Sequence, residues 1–179
     1  LSGNPGLNPW RSNNYSFSAE WYAMSASMTY LSLYKIEIAS FTEDGTVMVD
    51  EPDPDGVKRG PWPFSTQIQG EGGDVQGFEV GGRLALADVV DNSFLSNFGV
   101  DVNYTYSDSS QKKKDVFGSD LPFVGMSKDT YNVVAWYEQD EFSARIAWNS
   151  RSPRLITQGS SAVGFQSLYQ DDYSQLDIS

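Results

Sequence analysis

The chain has 179 residues, with 24 acidic side chains against 12 basic ones for a formal charge of −12, and it contains neither cysteine nor histidine. Disulfide scaffolds, thiol catalysis, Cys/His zinc sites and histidine acid–base pairs are excluded, and Lys112, Lys113 and Lys114 are too small a basic run to serve a nucleic-acid partner. No stretch approaches the roughly 18 apolar residues of a spanning helix, which leaves a β-barrel open because its strands need only about 9 to 11 residues of alternating polarity.

Period-two alternation predicts strands in chain order. In the first, Tyr15, Phe17, Ala19, Trp21 and Ala23 alternate with Asn14, Ser16, Ser18, Glu20 and Tyr22. The second, over 28–41, holds Leu31 and Leu33 in one phase and Tyr30, Tyr34, Ile36 and Ile38 in the other, so pattern alone leaves its facing open. The third sets Phe78, Val80, Gly82, Leu84 and Leu86 against Glu79, Gly81, Arg83 and Ala85. The fourth sets Phe98, Val100, Val102, Tyr104 and Tyr106 against Gly99, Asp101, Asn103, Thr105 and Ser107. Three more follow over 128–138, 142–151 and 172–179, with Tyr131, Val133, Ala135 and Tyr137, then Phe142, Ala144, Ile146 and Trp148, then Leu176 and Ile178 on the apolar side.

The intervening connections, 24–27, 42–74, 88–96, 108–127, 139–141 and 152–171, alternate short and long. One end of the sheet is thus expected to carry tight turns and the other large loops rich in Gly and Pro, Gly164 among them, without periodic structure. Aromatics fall near both ends of the apolar face, Tyr15, Tyr106, Tyr131 and Trp148 toward the long loops and Trp21, Phe98, Tyr137 and Phe142 toward the turns. Such girdles suit a membrane barrel wall, although a soluble antiparallel sandwich alternates in the same way.

Candidate ligand-binding residues fall into two groups. Asp53, Asp55, Trp62 and Phe64 sit in the first long loop, where aromatic faces could stack on a ligand while acids accept its hydroxyl hydrogens. Glu79, Arg83, Arg145 and Arg151 lie on the polar face, as cross-strand charge pairs or as a ligand path. Carboxylates at alternate positions before Gly56 mimic a calcium loop, but Trp62 stands where its last ligand belongs, so no metal is assigned. Gly70-Glu71-Gly72-Gly73 is followed by no helix and makes no phosphate loop. No two acids are paired on rigid elements, so no catalytic residue, no cofactor and no enzyme activity is expected.

Several strings in order resemble one family. Gly3-Asn4-Pro5-Gly6-Leu7-Asn8-Pro9 is similar to the Gly-Asn-Pro-x-Leu-x-Pro segment of TonB-dependent outer-membrane receptors. Gly77-Phe78-Glu79, Leu121-Pro122-Phe123-Val124-Gly125-Met126 with Tyr131-Asn132, Phe142-Ser143-Ala144-Arg145 with Trp148-Asn149-Ser150-Arg151, and Tyr173-Ser174-Gln175-Leu176-Asp177 resemble its later strands. The resemblance implies an all-β, up-and-down antiparallel meander of about seven strands: residues 1–179 as a partial transmembrane barrel, an incomplete segment of a 22-stranded one. It further implies an outer-membrane active transporter of a Gram-negative bacterium for scarce nutrients such as oligosaccharides, iron chelates or cobalamin. Its partners would be outer-membrane lipid, a small-molecule or oligosaccharide ligand, and TonB through a plug region without counterpart here. The alternative on pattern is a soluble carbohydrate-binding module.

Overall fold

A computed structural model describes residues 4–115, 117–159 and 166–179, so Gly3 and Gly164 lie outside the described residues. Among the described residues ten strands form: β1 (Arg11–Trp21), β2 (Met28–Val49), β3 (Trp62–Gly70), β4 (Gly73–Ala85), β5 (Phe98–Gln111), β6 (Asp129–Gln139), β7 (Phe142–Arg151), β8 (Arg154–Thr157), β9 (Leu168–Gln170) and β10 (Tyr173–Ile178). All pairings are antiparallel, and the main path runs β1-β2-β4-β5-β6-β7-β10. The seven strands expected from alternation are these seven. β1 and β10 end the path without pairing to each other, so the sheet is an open wall.

The first long connection differs from expectation. Instead of an aperiodic loop over 42–74, β2 continues to Val49 and pairs with β3 from Phe41↔Gly70 to Val49↔Trp62, leaving 50–61 as the tip. Alternation is hard to see there because Glu43, Asp44 and Gly45 interrupt the apolar phase of Val47 and Val49, yet backbone pairing tolerates them. The third long connection also gains structure, as β8 pairs with β9. The short–long order of the connections stands.

Facing within β2 resolves through its partners. Leu33 lies between Phe17 and Phe78, and Leu31 between Ala19 and Val80, which puts both leucines on the apolar face. Tyr30, Tyr34, Ile36 and Ile38 take the opposite face. The apolar face is exposed, from Phe17 (60%) through Val102 (46%) to Leu176 (61%), and among the described residues no second layer covers it. That is not a sandwich.

The row Trp21–Thr29–Gly82–Val102–Val133–Trp148 leaves β1 at its last residue and crosses β7 six residues after Phe142. This slip of about one residue per strand corresponds to a tilt of about 40°, the stagger that barrel walls require.

On the polar face, rings lie across glycines of the next strand. A Cβ on Gly81 would sit 2.7 Å from the Tyr30 ring, and Trp136 covers Gly99 in the same way. The Tyr30 hydroxyl then donates to Glu79 at 2.6 Å. Gly81→Val should therefore displace the ring and break this bond, costing about 1 to 3 kcal/mol in the intact protein. Combined with Tyr30→Ala, the cost should fall by half or more; denaturant titration of the double-mutant cycle reads the coupling, and strict additivity would refute the pairing.

Candidate functional site

Above the regular ladder the polar face closes into a cavity. Between Ile38 and Phe41 the pairing of β2 with β3 and β4 lapses for Ala39–Ser40 opposite Glu71–Gly72, and β1 shifts register between Arg11 and Ser12. Gly72 takes φ +78°, a left-handed conformation that any side chain would strain. Ile38 and Phe41, three residues apart, consequently line the same hollow. Its volume is about 660 Å³.

The cavity's aromatic wall is built from three segments. Pro5 and Pro9 lack the N–H that would extend the β1 ladder, so the N-terminal stretch is held by other bonds: the Asn8 N–H donates to Gln69 Oε1 at 2.7 Å and the Ser40 hydroxyl donates to the Pro9 carbonyl at 2.6 Å. This delivers Trp10, whose Nε1 donates to Thr42 Oγ1 at 3.0 Å. Trp10 meets Phe41 edge-on at 6.0 Å, and Phe41 meets Phe123 at 6.0 Å. Ile36 and Ile38 form an aliphatic base, while Ser12, Asn14, Thr42 and Gln158 supply hydroxyl and amide groups. Two charges line it, Arg11 and Glu43, and Glu43 pairs with Lys113 at 3.0 Å.

Gln111, at the end of β5, organises the roof. It is 4% exposed; its backbone N–H donates to Leu121 O, its Nε2 to Pro122 O at 2.7 Å, and its Oε1 accepts from Gln158 Nε2 at 2.8 Å. Two long loops are thereby tied to one strand end, and beneath them Leu121 and the fully buried Leu155 make a small core. The Gly125 N–H donates to Leu155 O at 2.8 Å, joining the loops directly.

The residues singled out from sequence occupy five places. Asp53 and Asp55 lie at the hairpin tip and accept from Arg59, with Nη2 to Asp55 Oδ2 at 2.5 Å. That guanidinium, helped by the Val57 N–H, holds the Asp55 carboxyl below the ordinary carboxylate range. Trp62 and Phe64 pair with Val49 and Val47 on the face that Phe41 and Glu43 share, further along the hairpin than the residues that line the cavity. Glu79 sits lower, accepting from Tyr30 and from Asn103 Nδ2 at 2.9 Å. Arg83 grips Asp101 at 2.6 and 3.1 Å beneath the Trp136 ring, and Arg145 lines a second, separate hollow with them. Arg151 lies over the Tyr173 ring at 5.0 Å.

Sequence reasoning missed Trp10, Phe41 and Phe123 as one wall, because they are distant in the chain and meet only through the lapse in pairing. The available signal was their place at the junctions between strand and long loop.

Over residues 1–179 the chain matches the family described as TonB dependent receptor-like, beta-barrel. The chain belongs to that family. It is a family of transport receptors. Among solved structures, the receptor segment is similar to a point mutant of the ferric enterobactin receptor PfeA from Pseudomonas aeruginosa, at 14% identity and a TM-score of 0.65, covering 98% of this chain and 24% of that one. It is also similar to the siderophore receptor PirA from Acinetobacter baumannii, at 17% identity and a TM-score of 0.61, covering 98% and 26%. At these identities the likeness shows the fold, and the segment spans about a quarter of either chain. No curated protein matches the chain.

Gln111→Ala removes the anchor shared by both roof loops and leaves the Pro122 carbonyl without its donor, a loss of about 1 to 3 kcal/mol locally. Amide exchange over 117–127 and 154–159 should quicken while β6 and β7 stay protected. Unchanged exchange in both loops would deny Gln111 this role.

Proposed function

We propose that this segment is part of the wall of an outer-membrane transporter of a Gram-negative bacterium, which takes up a scarce small molecule with energy delivered by TonB through a plug region. The observation that carries the reading is the two-solvent sheet: one face is a continuous exposed apolar band, and the other is hydrogen-bonded and polar with an aromatic cavity at its long-loop end. In lipid every backbone group must be paired, so the unpaired edges at β1 and β10 call for further strands of the same barrel. The cavity then faces the lumen at the cell-surface mouth, where a ligand arrives first, and Glu79, Arg83, Arg145 and Arg151 line the way below. Asp53, Asp55, Trp62 and Phe64 on the protruding hairpin meet the ligand earliest.

This segment has no cysteine, so thiol labelling of single-cysteine variants, read against the unsubstituted receptor, tests the topology directly. Asp55→Cys should react with a membrane-impermeant maleimide on whole cells, and Asp140→Cys in the two-residue turn should react only after lysis. The opposite pattern would invert the orientation, and equal reaction on whole cells would refute the spanning wall.

Facing is tested at adjacent positions. Val102→Arg places a charge in the apolar band and should cost about 2 to 4 kcal/mol in folding of the full-length receptor. Asn103→Arg enters the polar face beside the Glu79 carboxylate and should cost far less. Denaturation in lipid vesicles distinguishes them, and equal costs would overturn the assignment.

A further inference from the structure

We infer that the cavity walled by Trp10, Phe41 and Phe123 selects an uncharged, hydroxyl-rich ligand, a neutral oligosaccharide, and turns away anionic iron chelates; this rests on the transporter reading above.

Charge makes the first argument. Arg11 and Glu43 are the two charges of the lining, and with Glu43 paired to Lys113 a single arginine is all the cavity offers a multiply charged anion. Its approach is worse for an anion. The segments 42–74, 108–128 and 152–172, which form the long-loop end, carry thirteen acidic residues against seven basic ones, a net −6 and half the charge of the whole chain. Several of those bases are already engaged: Arg59 with Asp53 and Asp55, Lys58 with Asp50, Lys113 with Glu43, Lys114 with Asp120 and Lys128 with Asp108. A field of that sign lowers the local concentration of a trianionic ferric catecholate and slows its association.

The chemistry of the walls makes the second. The Trp10 indole is 71% exposed, with its N–H already satisfied by Thr42, so what it offers the cavity is an apolar ring face. A pyranose presents axial C–H groups on one side and equatorial hydroxyls around its rim, which suits a ring face flanked by hydroxyl and amide groups such as Ser12, Asn14 and Thr42. Further along the same face of the hairpin, beyond Glu43, Ile68 and Thr66, Phe64 and Trp62 offer a chain-like ligand additional, separate platforms. A compact chelate needs one pocket; an extended glycan uses such a run.

The test takes the full-length receptor purified in detergent and measures binding by titration calorimetry with two probes: a panel of neutral hexasaccharides (α-1,4-glucan, β-1,4-glucan and β-1,4-xylan) and ferric enterobactin. At least one hexasaccharide should bind, Trp10→Ala should weaken it by about tenfold or more, and Trp10→Phe should restore most of the loss. Ferric enterobactin should not bind. Binding of ferric enterobactin, silence toward the whole panel, or an affinity indifferent to Trp10→Ala would each overturn the inference. Those results leave the transporter reading standing so long as the maleimide pattern above is observed, and only loss of that pattern would remove both.

Discussion

Everything in this segment hangs on the cross-strand ladder, because the sheet is a single layer with no core of its own. In a sandwich, side chains from two sheets also hold the layers together; here the backbone pairings, from Trp21↔Thr29 to Trp148↔Leu176, join the strands alone. Each strand has to satisfy two different surroundings with alternate residues. A slip of one position would turn Val100, Val102 and Ile146 to the polar side and bring Asp101, Arg83 and Arg145 to the apolar one. The register is thus held by the cost of exchanging those two sets, and the regular slip from strand to strand gives the wall its tilt.

Ordering away from the ladder comes from two local devices. Glycines at 81 and 99 let Tyr30 and Trp136 lie flat across the next strand, so large rings stiffen the polar face without projecting far from it. At the turn end, the Ser27 hydroxyl donates to Asp88 at 2.6 Å and accepts from the Ala85 N–H at 3.0 Å, binding the β1–β2 turn to the end of β4. At the loop end, Gln111, Leu121 and Leu155 do the equivalent, and there the chain has its nearest approach to a conventional core.

Strand identity, order and facing were legible in the residues because alternation is a direct record of two-faced burial: all seven main-path strands and the short–long rhythm of connections are visible as Phe98–Ser107 and Phe142–Arg151 are. β2 was ambiguous because Ile36 and Ile38 are apolar on the polar face, where they serve as the base of the cavity rather than as part of the outer band. The upward extension of β2 and β3 was hidden by Asp44, Gly45 and the prolines around Trp62, residues that signal loops yet sit in a paired hairpin. The sequence groups the candidate residues only by loop and by face, and pairing fixes their fate. Asp53 and Asp55 share one arginine, whereas Trp62 and Phe64 fall on the face of Phe41, which was recognisable only as a strand end.

The three rings of the cavity wall all come from this one stretch of chain, which bears on how a ligand would meet them. Its rings come from the N-terminal segment, β2 and the β5–β6 loop, and each is fixed by bonds made inside the segment: Trp10 to Thr42, Phe41 over Gly70, and Phe123 through its backbone N–H to Ser109 Oγ at 3.1 Å. Platforms held in this way lose little freedom when a ligand arrives, so affinity need not be spent on ordering them. Rigid rings select by shape and by the sign of charge rather than by adapting. On the function proposed above, a loop-end surface that is acidic, aromatic and preorganised would discriminate before a ligand reached the polar face below, where Glu79, Arg83 and their partners are already bonded to one another.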